Sequence, residues 1–343
     1  MSNTNDGLLY DAHENLVKEY FHDNPNPRVN GVAIGYLPPD ESPQILIFVD
    51  PSAAECERQT IEQRFQAIAP NLPHAPLWAS RFVGLRVPTG ASISSYDPFE
   101  YNLPPVTAGT LGAVVDVAGA RYILSSNHVL AQNGRVAPQA PVVEPGPSDD
   151  PNVGTVIGAQ SHFVSLLPSG PTVPGSQPNL VDCALAEVTG KINAPTSVDV
   201  FPYPFPSRTP PPPFPPRIPV TKTGRTTQTT NSTIMIFRWT GYIDFSFGTY
   251  YFQELFGTYD ENQPAKPTSP AVVFAAPGDS GALAVGATAG QGVGLVTARG
   301  YVFDGSNLFK AYVILICSLD LVRGGLATLL GVPASQINFL RHV

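Results

Sequence analysis

Charge is scarce in this chain. Only 13% of its 343 residues are charged, and the 27 Asp and Glu outnumber the 19 Lys and Arg to leave a net charge of −8. A nucleic-acid partner is not expected, because neutralising phosphates needs a basic face. Cysteine is rarer still. Cys56, Cys183 and Cys317 lie far apart, cannot all pair, and form no CxxC or Cys/His cluster. No metal or cofactor is expected, and so sparse and odd a count fits a reducing compartment. The first residues carry neither the basic nor the apolar segment of a signal peptide. No apolar run is long enough to span a bilayer. A cytoplasmic protein with no membrane partner is the expectation. What the chain does have is 43% apolar residues, 38 prolines and 30 glycines. That describes a globular protein of short elements, long enough to exceed the ~250 to 300 residues at which single cores stop growing.

Residues 1–100 read as a small α+β region. Leu9, Leu16, Val17, Tyr20 and Phe21 fall at helical spacing over 6–22, with Asp6 as a cap. Strands are expected over 31–36 and 44–49, then a helix opened by a Ser52/Glu55 capping box, then a strand over 81–87. His74 falls in a proline-rich loop. From residue 101 short β-runs take over: a hairpin over 112–125, strands at 153–157 and 180–188, then a second β-region from 220 to 317 that includes runs at 272–276, 283–285, 293–297 and 311–316. Between the two β-regions, residues 202–219 are proline-dense and extended, a spacer. A helix over 318–331 stops at Gly331 and Pro333. Phe237, Trp239, Phe245 and Phe247 alternate as strand residues do and are expected first of all in the core.

Ala276 to Ala282 reads Ala-Pro-Gly-Asp-Ser-Gly-Ala. Gly278 and Gly281 flank Asp279 and Ser280 with residues lacking a Cβ, so a substrate carbonyl can approach the Gly278 and Ser280 amides. Such a run is also what turns are made of. Gly-Asp-Ser-Gly, however, arises by chance in a chain of this length on the order of once in a hundred. A serine nucleophile needs a base and an acid to orient it. Of the six histidines, His13 and His22 lie in or just after a helix, His74 in a loop, His342 near the terminus and His162 in a polar-to-apolar stretch, whereas His128 stands where a hairpin ends and a short turn begins. Asp182 lies in the mostly apolar run Leu180 to Val188, where a carboxylate needs a donor to meet. Asp149 and Asp150 are rivals that solvation in a loop explains. His128, Asp182 and Ser280 are the expected catalytic residues, with Gly278 and Ser280 as the oxyanion hole.

The order His, Asp, Ser, with Ser-Ser-Asn-His-Val, Val-Asp-Cys-Ala-Leu and Gly-Asp-Ser-Gly around the three, resembles the trypsin-like serine peptidases of the chymotrypsin fold. Gly109 to Gly112 and the Lys222-Thr-Gly-Arg-Thr-Thr227 run are similar to the plant narrow-leaf type peptidases and their bacterial relatives. The resemblance implies a mostly β protein. Its peptidase domain, 101–343, would comprise two antiparallel six-stranded β-barrels, one over about 101–201 and one over about 220–317, joined through 202–219, preceded by the α+β region and followed by the short C-terminal helix. It implies a serine endopeptidase acting on a protein or peptide; an esterase and a non-catalytic protein-binding module are the alternatives. It makes Phe274, Thr297 and Ala298 substrate contacts, with the apolar Phe274 favouring small or apolar side chains, and leaves residues 1–100 as a docking surface for a regulatory protein. Secreted members of that family free a new N-terminus that pairs with the Asp beside the serine. No propeptide is evident here, so either Asp279 finds another partner or the site forms constitutively.

Overall fold

The computed structural model describes residues 4–38, 42–84, 92–95, 108–147, 149, 154–168, 177–190, 192, 196–204, 215–261, 273–304 and 309–341. Asp150, most of the proline-dense spacer, residues 85–87 of the expected third strand and residue 272 lie outside them. Helix α1 (Thr4–Val17) continues through a wider turn to Asp23, with Asp6 inside it and not at its cap. Strands β1 (Val29–Gly35) and β2 (Gln44–Val49) follow, every residue buried. Helix α2 (Glu55–Ile68) starts later than the sequence suggests. Ser52 bonds back to Asp50 instead of capping, and the backbone N–H at Ala54 donates to Glu57 Oε2 at 2.7 Å. Strands β3 (His74–Ala79) and β4 (Phe82–Gly84) complete this part, so His74 is strand and not loop. It stacks on Phe65 and meets Glu62 Oε1 at 2.7 Å.

The next strands are β5 (Ser92–Ser95), β6 (Gly109–Thr110), β7 (Ala113–Val117), β8 (Ala120–Ser125), β9 (Pro141–Glu144), β10 (Thr155–Phe163), β11 (Ala184–Val188) and β12 (Thr196–Val198). A one-turn helix, α3 (Asn127–Leu130), follows β8. Then come β13 (Ile218–Gly224), β14 (Gln228–Phe245), β15 (Gly248–Glu261), β16 (Leu283–Gly286), β17 (Gly292–Phe303), β18 (Phe309–Ser318), α4 (Leu319–Leu330) and β19 (Ile337–Arg341). No strand forms at 273–276, where Ala276 already begins the turn that carries Ser280.

The fold is mostly β, in two units. In the second, β13, β14, β15, β18, β17 and β16 pair in turn and β16 returns to β13, closing an antiparallel barrel of six. The first is a strip in the order β12-β19-β7-β8-β11-β10-β9-β5-β6, nine strands among the described residues and so more than the six expected. Two of them come from outside its expected span: β5 lies before residue 101, and β19 is a C-terminal strand that the sequence reading missed.

The N-terminal strands are not a separate sheet. β1 pairs with β14, β2 with β1, β3 with β2 and β17, and β4 with both β14 and β17, so they extend the sheet of the second barrel. One apolar core runs through both, from Leu16, Phe48 and Phe65 to Trp239, Phe256 and Ile316. Burying a large apolar side chain contributes about 1.5–3 kcal/mol, which makes this region a structural part of the barrel.

Candidate functional site

Strand β8 ends at Ser125 and delivers α3 at the junction of the two units. Val129 and Leu130 anchor it in the first unit's core. Asn127 fixes it from the side, donating to Val164 O at 2.7 Å and accepting from Asn133 N at 2.8 Å. His128 is thereby held against Asp182, which is fully buried just ahead of β11. The His128 backbone N–H donates to Asp182 Oδ1 at 3.1 Å, and Nδ1 lies 2.5 Å from Oδ2. A carboxylate can only accept, so Nδ1 carries the proton and Nε2 keeps its lone pair. That lone pair meets Ser280 Oγ at 2.7 Å. Three residues 54 and 98 positions apart, chosen from sequence, stand in one line of hydrogen bonds.

The serine sits on a turn that only glycine can complete. Gly278 and Gly281 have φ of +103° and +86°. A Cβ on Gly281 would also lie 2.1 Å from Ser125 Oγ. Two threonine hydroxyls pin the peptides on either side of Gly278: Thr226 Oγ1 donates to Pro277 O, and Thr110 Oγ1 to Gly278 O at 2.9 Å. In a trans peptide the N–H points opposite to the C=O. The Gly278 N–H is therefore turned away from Thr226, and no described residue accepts from it. A backbone donor with no acceptor among the described residues, two positions before Ser280, is what the expected oxyanion hole requires.

Asp279, whose partner the sequence left open, is paired with Lys222 of β13. Both side chains are fully buried, with Nζ 3.1 Å from Oδ2. The remaining valences are filled by Thr227 Oγ1 (2.7 Å) and Ala276 N (3.0 Å) on Oδ2, and by Thr226 N (2.7 Å) and Thr227 N (3.3 Å) on Oδ1. Burial lowers the pKa of Lys222 against the opposing pull of Asp279. Lys222, Thr226 and Thr110 were not legible as site residues. The Lys-x-Gly-Arg run reads as a strand entering a turn, which it is, but nothing local says what its lysine meets 57 residues away.

Asp149, set aside as a solvated loop residue, is instead held by Arg225, whose buried guanidinium makes two bonds to its carboxylate and a third to Ala108 O at 3.3 Å. Burial alone would raise the Asp149 pKa, but the bonds from Arg225 and Ser92 outweigh it and hold it below its ordinary 3.8. A depressed carboxyl contributes stability that is present above the unfolded pKa and lost as pH falls through the folded one. The melting temperature of the wild type should exceed that of Asp149→Asn by a constant margin above about pH 5, and that margin should be lost as pH falls through the depressed pKa of Asp149. A margin independent of pH would show that the ion pair contributes nothing.

The tip of the β14–β15 hairpin roofs the site. The Phe245 ring lies 4.9 Å from the His128 ring, and Phe247 stacks on Phe245 at 5.4 Å. Both are half-buried there instead of in the core. Arg135 donates to Phe247 O at 3.2 Å and fastens the tip to the first unit. His128 keeps 4% of its surface exposed and Ser280 none. Of the expected substrate contacts, Ala298 and Thr297 lie in β17 directly after Val296, whose carbonyl accepts from Gly281 N at 2.8 Å. The Thr297 hydroxyl turns inward to Leu295 O and Cys317. Phe274 is buried, its ring 5.9 Å from Lys222 Nζ.

No protein-family profile matches this chain, and no curated protein does. Among solved structures it is similar to a glutamic acid specific serine protease described as using a novel histidine triad in substrate binding, at 14% identity over 74% of this chain and 100% of that one, with a TM-score of 0.38. Protease A of Thermobifida fusca follows at 13%, 75%, 100% and 0.37, and the chymotrypsin of Cellulomonas bogoriensis at 15%, 75%, 98% and 0.36. These are likenesses of chain path. Chemistry has to come from the site itself.

Proposed function

We propose that this chain is a serine endopeptidase. The observation that carries the reading is the 2.7 Å contact of His128 Nε2 with Ser280 Oγ, with Asp182 on the opposite ring nitrogen. Ser280 Oγ attacks a peptide carbonyl as its proton passes to Nε2, and the carbonyl oxygen takes the negative charge towards the Gly278 and Ser280 amides. The C–N bond then breaks, with the imidazolium returning its proton to the leaving amine. Water repeats the sequence on the acyl-enzyme. Asp182 keeps the tautomer and stabilises the imidazolium. No step calls for a metal or cofactor.

A peptide substrate and a cytoplasmic location belong to the same proposal. All three cysteines are free, which suits a reducing compartment. The test is chemical: a fluorophosphonate should add once, at Ser280, as read by the mass of the peptide that carries it. Addition at another residue, or none, would defeat the assignment. Cleavage of a peptide library distinguishes the peptidase from an esterase, which would leave every peptide intact.

A further inference from the structure

Strand β17 has two edges. One is paired with β18 from Gly294 to Phe303. The other is taken by β16 as far as Leu295, and then by the nucleophile turn itself: Gly281 N donates to Val296 O, and Val296 N to Ala282 O at 3.0 Å. There the chain that carries Ser280 turns away. The edge beyond, at Ala298 and Arg299, is left to whatever lies past the nucleophile. An extended peptide that offers a carbonyl to Ser280 advances about 3.3 Å per residue. Two or three residues take it onto this edge, where strand addition supplies main-chain hydrogen bonds irrespective of side chains.

That place is filled by β4. It runs antiparallel to β17, with Val83 opposite Arg299 and Gly84 opposite Ala298, so its direction is towards the nucleophile. Its other edge is taken too, by Ile243 and Asp244 of β14, immediately before Phe245 covers His128. β4 is firmly tied at its start. Phe82 is fully buried, its ring 4.9 Å from Trp239 and 5.5 Å from Phe48, lying on Gly300, where a Cβ would come within 2.5 Å of it. Just before it, Ser80 N donates to Tyr301 O and Tyr301 N to Ser80 Oγ.

We infer that β4 is an intramolecular competitor, holding the strand edge on which the acyl side of an extended peptide substrate binds. The inference rests on the proposed serine endopeptidase. Long peptides have to displace β4 from β17 to reach Ser280, whereas a small ester that stops at the acyl carbon does not. Access for extended substrates is then set by how readily β4 leaves, and a partner that draws β4 out would act as an activator.

Two measurements test this. In the wild-type protein, Ser280 is modified either by a small dialkyl fluorophosphonate or by a tetrapeptidyl phosphonate, and amide hydrogen exchange is followed over residues 82–84. The peptidyl adduct should speed exchange there by about tenfold or more, the equivalent of one to two net main-chain hydrogen bonds lost, and the small adduct should not. Equal protection in both adducts would overturn the inference while leaving the serine chemistry standing. Failure of both reagents to modify Ser280 would overturn the proposed function and this inference with it. In the second measurement, Val83→Pro removes the one N–H that residue can give to either neighbouring strand. It should raise kcat/KM for a tetrapeptide amide by about tenfold and leave that for a single-residue ester unchanged. The ester reports that the fold is intact. A parallel change in both substrates, or no gain with the peptide, would count against β4 as competitor, and if the variant fails to fold the exchange experiment on the wild type decides.

Discussion

Asp182→Asn should lower kcat by about four orders of magnitude, the loss that follows when the acid of a Ser-His-Asp triad is replaced by its amide. The reason lies in the geometry. The carbonyl of the substituted side chain would still accept from the His128 backbone N–H, as Oδ1 does now at 3.1 Å. The new NH2 would then face Nδ1 across the present 2.5 Å contact. A donor there forces Nδ1 to become the acceptor and moves the ring proton to Nε2. Nε2–H against Ser280 Oγ cannot take the serine proton. Because the hydrogen bonds are kept in number, the melting temperature should move little, and fluorophosphonate addition at Ser280 should slow along with turnover. A variant that keeps more than about a tenth of wild-type kcat would show that Asp182 merely packs beside the histidine.

Lys222→Met should be costly in a different way. Methionine fills much the same space without the charge, and leaves the Asp279 carboxylate buried with no cation. Breaking one side of a buried pair typically costs about 3–5 kcal/mol. Asp279 also receives the amides of Ala276, Thr226 and Thr227, so its displacement loosens the peptides around Gly278. Loss of an oxyanion donor lowers kcat by about 10² to 10³. The double variant Lys222→Met/Asp279→Asn, which removes both charges, should recover much of the stability but little of the activity. Equal recovery of both would mean that the pair only holds the fold. The same pair sets an alkaline limit. Above its own pKa Lys222 is neutral and Asp279 loses its counter-charge, and because burial lowers that pKa from 10.5, activity should decline at a pH below that of an ordinary lysine.

That His128, Asp182 and Ser280 meet was legible in sequence because the proposed chemistry permits few residue types. A nucleophile between glycines, a histidine at a hairpin end and a carboxylate in an apolar run each stand out against their surroundings. The supporting residues were not, because their meaning lies in distant partners. Lys222 sits 57 positions from Asp279, and Arg225 76 positions from Asp149. The hairpin of β7 and β8 was legible for the opposite reason, its partner being a turn away. β3 was hidden by Pro76, which a strand tolerates here because β17 pairs only with its last two residues, Trp78 and Ala79, and leaves the edge at Pro76 unpaired by that strand. β19 carries only two buried apolar residues, Ile337 and Phe339, too short an alternation to stand out after the stop at Gly331 and Pro333. The largest difference concerns residues 1–84. Local pattern gave their helices and their strands other than β3, but only the register of β1 with β14 and of β3 and β4 with β17 makes them part of the barrel.

The ammonium that steadies Asp279 is carried by a side chain within β13. It is in place as soon as the polypeptide has folded, and no cut in the backbone has to manufacture it. Extra residues fused ahead of the first helix should therefore leave the turn around Ser280 undisturbed.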